Sequence, residues 1–546
     1  MIQRRVLVLM GLLAGCALAQ QEFDLILAGG RVVDGSGNPW YRADVGVKNG
    51  RITAIGQLRG RQAKRVIDVK GQVVSPGFID MMGATSLPLL LEPASAESQL
   101  RQGITTLLAG EGGSMAPQTE GTFPAEARKR GYSWKTFGEY FALLEKAGIP
   151  MNTVHNIGAA QVRMVVMGDK DREPTAAELD QMRAHVRQAM KDGAVGLSTA
   201  LIYPPGTYAK TAELVALAKV VGEHGGAYMS HMRNESGQLL EAITETMEIG
   251  KQAGIPVHVF HLKAAGEENW PLIHKAISLI RSARESGQDV TADIYPYIRN
   301  GIGLRSFVHP KYFANGAAPF LKTLGDKSVR ASLRREVEST SDWENWYRHV
   351  GKNWDNVLVV SVPASLDRSY EGKSLAAIAK MRKQEEWETF FDLLATGAVS
   401  VNPKSMNEEQ KHAALREEWV SVCTDAGPVY LAEARWAHPR AFGSFPRILG
   451  KYVREEKVIS LEGAVRRMTS LPANFLRLYD RGRIAVGLAA DLVVFDPATV
   501  RDTATFEKPL SYPEGMPYVI VNGRVAIEMG KMVDRKAGAV LRLGSR

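Results

Sequence analysis

Two histidines close consecutive apolar runs, His231 in "GAYMSH" and His261 in "PVHVFH", and a carboxylate, Asp425, closes a later one, "VSVCTD". Two neutral imidazoles with a carboxylate are a common catalytic zinc set that leaves a coordination position for water. The competing role for a histidine at a strand end is a hydrogen-bonded core residue, and for Asp425 the cap of a following helix. Two histidines on neighbouring strands, with Asp425 closing the ring, favour the metal. Other strand-like runs also end on polar residues: "SPGFID" on Asp80, "TTLLAGEG" on Glu111, "NTVHNIG" on Asn156, "AVGLST" on Ser198 and "DVTADIY" on Tyr295. His155 precedes Asn156, so strand alternation turns it to the other side. After Asp80 the chain reads "MMGATS", which is poor in ligands.

These eight runs alternate with amphipathic helical stretches, a rhythm that predicts an α/β fold with a parallel (β/α)8 barrel over residues 76–480. Polar residues at the ends of its strands belong at the C-terminal face, where the chemistry of such barrels sits. More than a hundred residues, 299–418, separate the seventh and eighth runs and predict an insertion subdomain or lid. On either side of the barrel, residues 22–75 and 481–546 carry short β-rich runs broken by Gly and Asn-Gly turns. Neither half has enough strands to bury a sheet face alone, so the two termini are expected to pair into one small β-sandwich.

The 546 residues are 45% hydrophobic and 23% charged, ordinary globular usage with ample material for a core. The start, "MIQRRVLVLMGLLAGCALAQQ", sets Arg4 and Arg5 before an apolar run too short to span a bilayer, then small residues, the pattern of an export signal over residues 1–19. Cleavage after Ala19 places the mature chain in the periplasm or outside the cell. "LAGC" offers the alternative of a lipoprotein acylated on Cys16. Loss of residues 1–19 removes two arginines and no acid, leaving 66 basic side chains against 59 acidic ones, a net charge of about +7. The basic residues are scattered and not massed with aromatics, so nucleic-acid binding is not indicated. With only Cys423 remaining after that cleavage, no intrachain disulfide can form.

The stretches "GAVGLSTALIYPPGTYAKTAEL", "YMSHMRNES", "FHLKAAG", "DIYPY" and "HPRAFGSFPRILGKYVRE" follow one another in the order seen in the N-acyl-D-amino-acid deacylases (D-aminoacylases) of the amidohydrolase superfamily. The chain resembles that family from about Phe23 to its C-terminus. The resemblance implies a β-sandwich carrying a metal-dependent barrel that hydrolyses the amide of N-acyl-D-amino acids, a small-molecule substrate. It implies zinc ligation by His231 and His261, proton transfer by Asp425, and a grip on the substrate carboxylate by Lys263, Tyr295 and Arg440. Arg440 suits such a grip because a guanidinium pairs bidentately with a carboxylate, and Lys263 adds a point charge.

The chain departs from the family where the first strand carries His-x-His, since Met82 and Ala84 stand there and neither can bind zinc as an imidazole does. The second-strand cysteine ligand is also missing, with Gly112 preceded by Glu111. One Zn²⁺ per chain is therefore expected, on His231 and His261, with Glu111 as the replacement ligand in a His₂Glu set. Glu111 has a competing role, an ion pair with Arg233 or Lys263. Met81 and Met82 are expected to pack the barrel or an acyl pocket. Metal-dependent deacylation of N-acyl-D-amino acids is the leading expectation. The alternatives are a barrel that only binds an acidic ligand, or a hydrolase of another amide such as a cyclic one.

Overall fold

The computed structural model of the chain describes residues 22–314, 316–339 and 343–544. The expected signal segment and Cys16 lie outside the described residues. Eight parallel strands run in chain order around a barrel: β1 (Phe78–Asp80), β2 (Ile104–Ala109), β3 (Asn152–Gly158), β4 (Gly196–Ala200), β5 (Ala227–His231), β6 (Val257–Val259), β7 (Val290–Ile294) and β8 (Val420–Val422). Every residue of these strands is buried, as expected of a parallel sheet covered by helices on the outside and filled by its own side chains on the inside. Met81 and Met82 pack into the barrel interior with Ile79, Leu108, Met229 and Phe260.

The seam between β1 and β8 is joined by a side chain. Asp80 accepts the backbone N–H of Thr424 at 2.9 Å, its hydroxyl at 2.5 Å and the N–H of Met82 at 3.1 Å. Complete burial pushes its carboxyl up to about 7 despite these three donors. This strand-end carboxylate is thereby committed to the seam between β1 and β8.

Both ends of the chain contribute to one nine-stranded sheet, in which Leu492–Phe495 runs antiparallel to Val73–Pro76. Leu25, Val45, Ile67, Val74, Leu492 and Ile520 share a core separate from that of the barrel. The insertion has a core as well, built on Phe307, Trp354, Trp387 and Phe390 around a sheet of Ile302–Gly303, Val357–Ser361 and Ser400–Pro403. It ends earlier than the expected residue 418. The helix Glu408–Arg416 gives Ala413, Ala414 and Leu415 to the barrel's core, so it belongs to the outer ring of helices. Among the described residues no helix is long and apolar enough to cross a membrane.

Candidate active site

Three barrel strands hand over to their loops through L-residues in the left-handed region, Ala84 (φ 57°) after β1, His261 (φ 37°) after β6 and Asp425 (φ 50°) after β8. Such conformations cost on the order of 1–3 kcal/mol each and persist where surrounding bonds fix them. For His261 the fixing group is Asp293 of β7, which accepts the His261 N–H at 2.6 Å while its other oxygen meets His258 Nε2 at 2.8 Å. His261 is thus turned towards His231 at the end of β5, with the two ring centroids 4.5 Å apart and nearly perpendicular.

Glu111 enters from the turn after β2. Gly110 and Gly112 on either side of it both have positive φ, and a Cβ on Gly112 would lie 2.6 Å from the backbone nitrogen of Ala200. A side chain at 112 has no room, and the donor is delivered by its neighbour. Glu111 Oε1 lies 2.7 Å from His231 Nδ1 and 3.0 Å from His261 Nε2. The competing ion pairs expected for Glu111 are both taken elsewhere. Arg233 is bound by Glu245, and Lys263 by Glu235.

One donor atom from each of Glu111, His231 and His261 lies within 4.8 Å of the others, close enough to surround a single ion. Two imidazoles and one carboxylate suit a divalent cation of borderline softness. The electrostatics agree. Burial opposes ionisation of Glu111, but the hydrogen bonds from His231 and His261 outweigh it and hold the carboxyl well below the usual range. Burial and the Lys263 ammonium press His261 downward, yet Glu235, Asp425 and the bond to Glu111 carry it up to about 10. A negative field that draws a proton so strongly also draws a cation.

Asp425 lines the cleft, and the buried Arg440 donates a hydrogen bond from Nη1 to Asp425 Oδ2. Arg440 stacks on one side of the Tyr295 ring at 4.6 Å, and the buried Lys411 ammonium lies 4.7 Å from the same centroid. The Tyr295 hydroxyl is buried with no protein partner. The site residues expected from sequence therefore converge, with one change of role. Lys263 lines the cleft, but its ammonium is committed to Glu235 Oε1 at 2.5 Å and is 2% exposed, so it is not a cation at liberty to grip a substrate.

Three further residues shape the site without having been singled out from sequence. Glu235, four residues past His231 in "HMRNES", is buried beneath both imidazoles. Tyr203 sets its ring edge-on to His231 at 5.5 Å. Glu344 reaches in from the insertion and accepts the Glu235 N–H, and burial beside Glu235 pushes its carboxyl up to about 8. None of the three left a usable signal, since the four-residue spacing of Glu235 from His231 has geometric meaning only on a helix and Glu235 lies in a loop. Beyond Glu111 opens a second cavity of about 340 Å³, lined by Thr85, Ser114, Met115, Gln118 and Asn156 among others.

A nearly closed parallel barrel with a His₂-carboxylate cluster at its C-terminal mouth, joined to a sheet woven from both ends of the chain, is the build of an amidohydrolase. Residues 355–527 match the Amidohydrolase family. A D-aminoacylase of Alcaligenes xylosoxydans xylosoxydans is 33% identical over 526 residues, covering 95% of this chain and 98% of the relative. An N-acyl-D-glutamate deacylase of the same organism is 34% identical over 508 residues, covering 92% and 93%. The crystal structure of the N-acyl-D-glutamate deacylase of Bordetella bronchiseptica, complexed with zinc and a phosphonate mimic of the tetrahedral intermediate, superposes with a TM-score of 0.80 at 32% identity, over 96% of this chain and 100% of that one. The chain belongs to the D-aminoacylase family of N-acyl-D-amino-acid deacylases.

Proposed function

We propose that the chain hydrolyses the amide bond of N-acyl-D-amino acids to a carboxylate and a free D-amino acid, using one Zn²⁺ held by Glu111, His231 and His261. The observation that carries this reading is the convergence of those three donors beside the Asp425–Arg440 pair. The D configuration is supported by the relatives. A divalent ion so held supplies Lewis acidity for the acyl carbonyl and for water.

The residues do the rest. Arg440 faces the substrate carboxylate, with the Tyr295 hydroxyl as a second donor. As the substrate carboxylate takes a share of the guanidinium, Asp425 is released to accept a proton from water and pass it to the departing nitrogen. An amine leaves poorly without that proton. The acyl group extends into the cavity beyond Glu111, whose lining carries no other acid and no Lys or Arg.

Metal-replete protein is assayed against N-acetyl-D- and N-acetyl-L-amino acids with aliphatic, aromatic and acidic side chains. Release of free amine from D substrates is the expected result, and no release from any of them would leave a barrel that only binds acidic ligands. The Arg4–Arg5 start and its apolar run further support export to the periplasm, and mass spectrometry of the native N-terminus tests this: Met1 intact would end it, and diacylated Cys16 would mean anchoring.

A further inference from the structure

We propose that Glu235 is the positioning residue for both imidazoles of the metal site, its single carboxylate fixing which nitrogen of each ring is turned to Glu111. The inference rests on the metal reading of the triad and asks what holds that triad in a state able to ligate.

The two rings present opposite nitrogens to Glu111, His231 through Nδ1 and His261 through Nε2. A nitrogen that ligates a metal cannot carry a proton, so the other nitrogen of each ring must. His231 has to be the Nε2–H tautomer and His261 the Nδ1–H tautomer. Two opposed tautomers within one site require an acceptor on the far side of both rings, and Glu235 is there. Its Oε1 lies 3.0 Å from His261 Nδ1 and its Oε2 lies 3.5 Å from His231 Nε2. Neither His231 Nε2 nor Glu235 Oε2 has a hydrogen-bond partner in the structure, and both are buried, so each is the nearest polar group left to satisfy the other.

Lys263 makes this arrangement consequential. Its ammonium is 2.8 Å from His261 Nδ1 as well as 2.5 Å from Glu235 Oε1. An ammonium only donates, so a bond from Lys263 to Nδ1 would place the ring's proton on Nε2, aimed at the ligand position. Glu235 opposes that state by accepting from both groups. The carboxylate is itself anchored through its backbone, its N–H donating to Glu344 of the insertion and its carbonyl accepting from Ala265 at 2.7 Å. Glu235 could instead serve solely as the counterion of Lys263, and the two roles predict different metal binding.

Glu235→Gln keeps the shape and removes the charge. Zn²⁺ affinity is measured by competition with a chromophoric chelator, and the visible spectrum of the Co²⁺-loaded protein reports ligand geometry directly. The expected result is a roughly 10- to 100-fold loss of Zn²⁺ affinity, the scale for removing an outer partner of a ligating histidine, with a shifted Co²⁺ absorption band. Affinity within twofold of wild type, with an unchanged Co²⁺ spectrum, would overturn the proposal. Should Glu235→Gln fail to fold with Lys263 unpaired, the double variant Glu235→Gln/Lys263→Met carries the same test without the orphaned charge. It should bind Zn²⁺ at least tenfold more weakly than wild type, and wild-type affinity there would overturn the proposal. Wild-type protein that binds no Zn²⁺ would remove the metal site itself, an outcome distinct from either.

Discussion

Arg440 donates to Asp425 across the mouth of the barrel, so the residue suited to recognising a substrate carboxylate and the residue suited to moving a proton are held together. Burial raises the Asp425 carboxyl while Arg440 pulls it down. Removing the guanidinium should leave Asp425 protonated over a wider range. The acidic limb of the kcat/KM profile is expected to move to higher pH in Arg440→Met, and an unmoved limb would mean that Arg440 does not control the base.

Asp425→Asn should keep the metal and lose about 10²–10⁴ in kcat, the contribution of a positioned acid–base group. Zinc content and turnover are read on the same preparation. Stability lost with turnover retained would reduce Asp425 to a loop residue.

Glu111→Gln should weaken Zn²⁺ retention through dialysis while the protein stays folded, because the amide keeps the size but not the charge. Restoring a thiolate one residue later should fail. In Glu111→Ala/Gly112→Cys the new Cβ meets Ala200, and φ at 112 is +67°, so soluble yield is expected to fall without recovery of metal. A zinc-loaded, well-folded double variant would contradict the geometry drawn around Gly112.

Asp80 is expected to act on stability and not on chemistry. Asp80→Ala strands the Thr424 N–H and the Met82 N–H in a buried seam, a cost of roughly 2 kcal/mol or more at about 1–3 kcal/mol for each unsatisfied group, while the Thr424 hydroxyl keeps the Ala426 carbonyl as acceptor. The denaturant midpoint should drop while turnover per folded, metal-loaded molecule changes little. A wild-type midpoint with abolished turnover would move Asp80 into the reaction.

Glu344 gives the fold a pH dependence with a definite sign. Its carboxyl stands at about 8 in the folded protein against an ordinary 4.5, with burial the main cause and Glu235 adding to it. Between those values the folded state holds a proton that the unfolded state has lost, so the contribution is complete below about pH 4.5 and disappears as the pH rises through 8. Wild type should lose stability over that interval more steeply than Glu344→Gln, by up to one proton equivalent. Parallel curves in denaturant melts from pH 5 to 8.5 would show that Glu344 is ionised throughout.

The barrel, the pairing of the two termini and the convergence of His231, His261 and Glu111 were legible because each rests on a local signal: an apolar run ending in a polar residue, a set of strands too few to stand alone, a donor at a strand mouth. Asp80 has the same local signature as Glu111, and only the seam distinguishes them, since sequence does not say what a strand-end carboxylate faces across the barrel. Lys263 looked available because its partner, Glu235, lies in a loop with no periodicity to place it. The end of the insertion was misjudged because an amphipathic helix such as Glu408–Arg416 reads alike whether its apolar face meets the insertion or the barrel.

The sheet shared by both termini imposes an order on synthesis. The strand Val73–Pro76 acquires its neighbour Leu492–Phe495 only after more than four hundred further residues have been made, on the order of a minute at about 5–20 residues per second. Until then one edge of that strand has unpaired backbone groups and could attach to another nascent chain. A product truncated inside the barrel lacks the neighbour of Val73–Pro76, so this sheet can form only on a chain synthesised almost to its end.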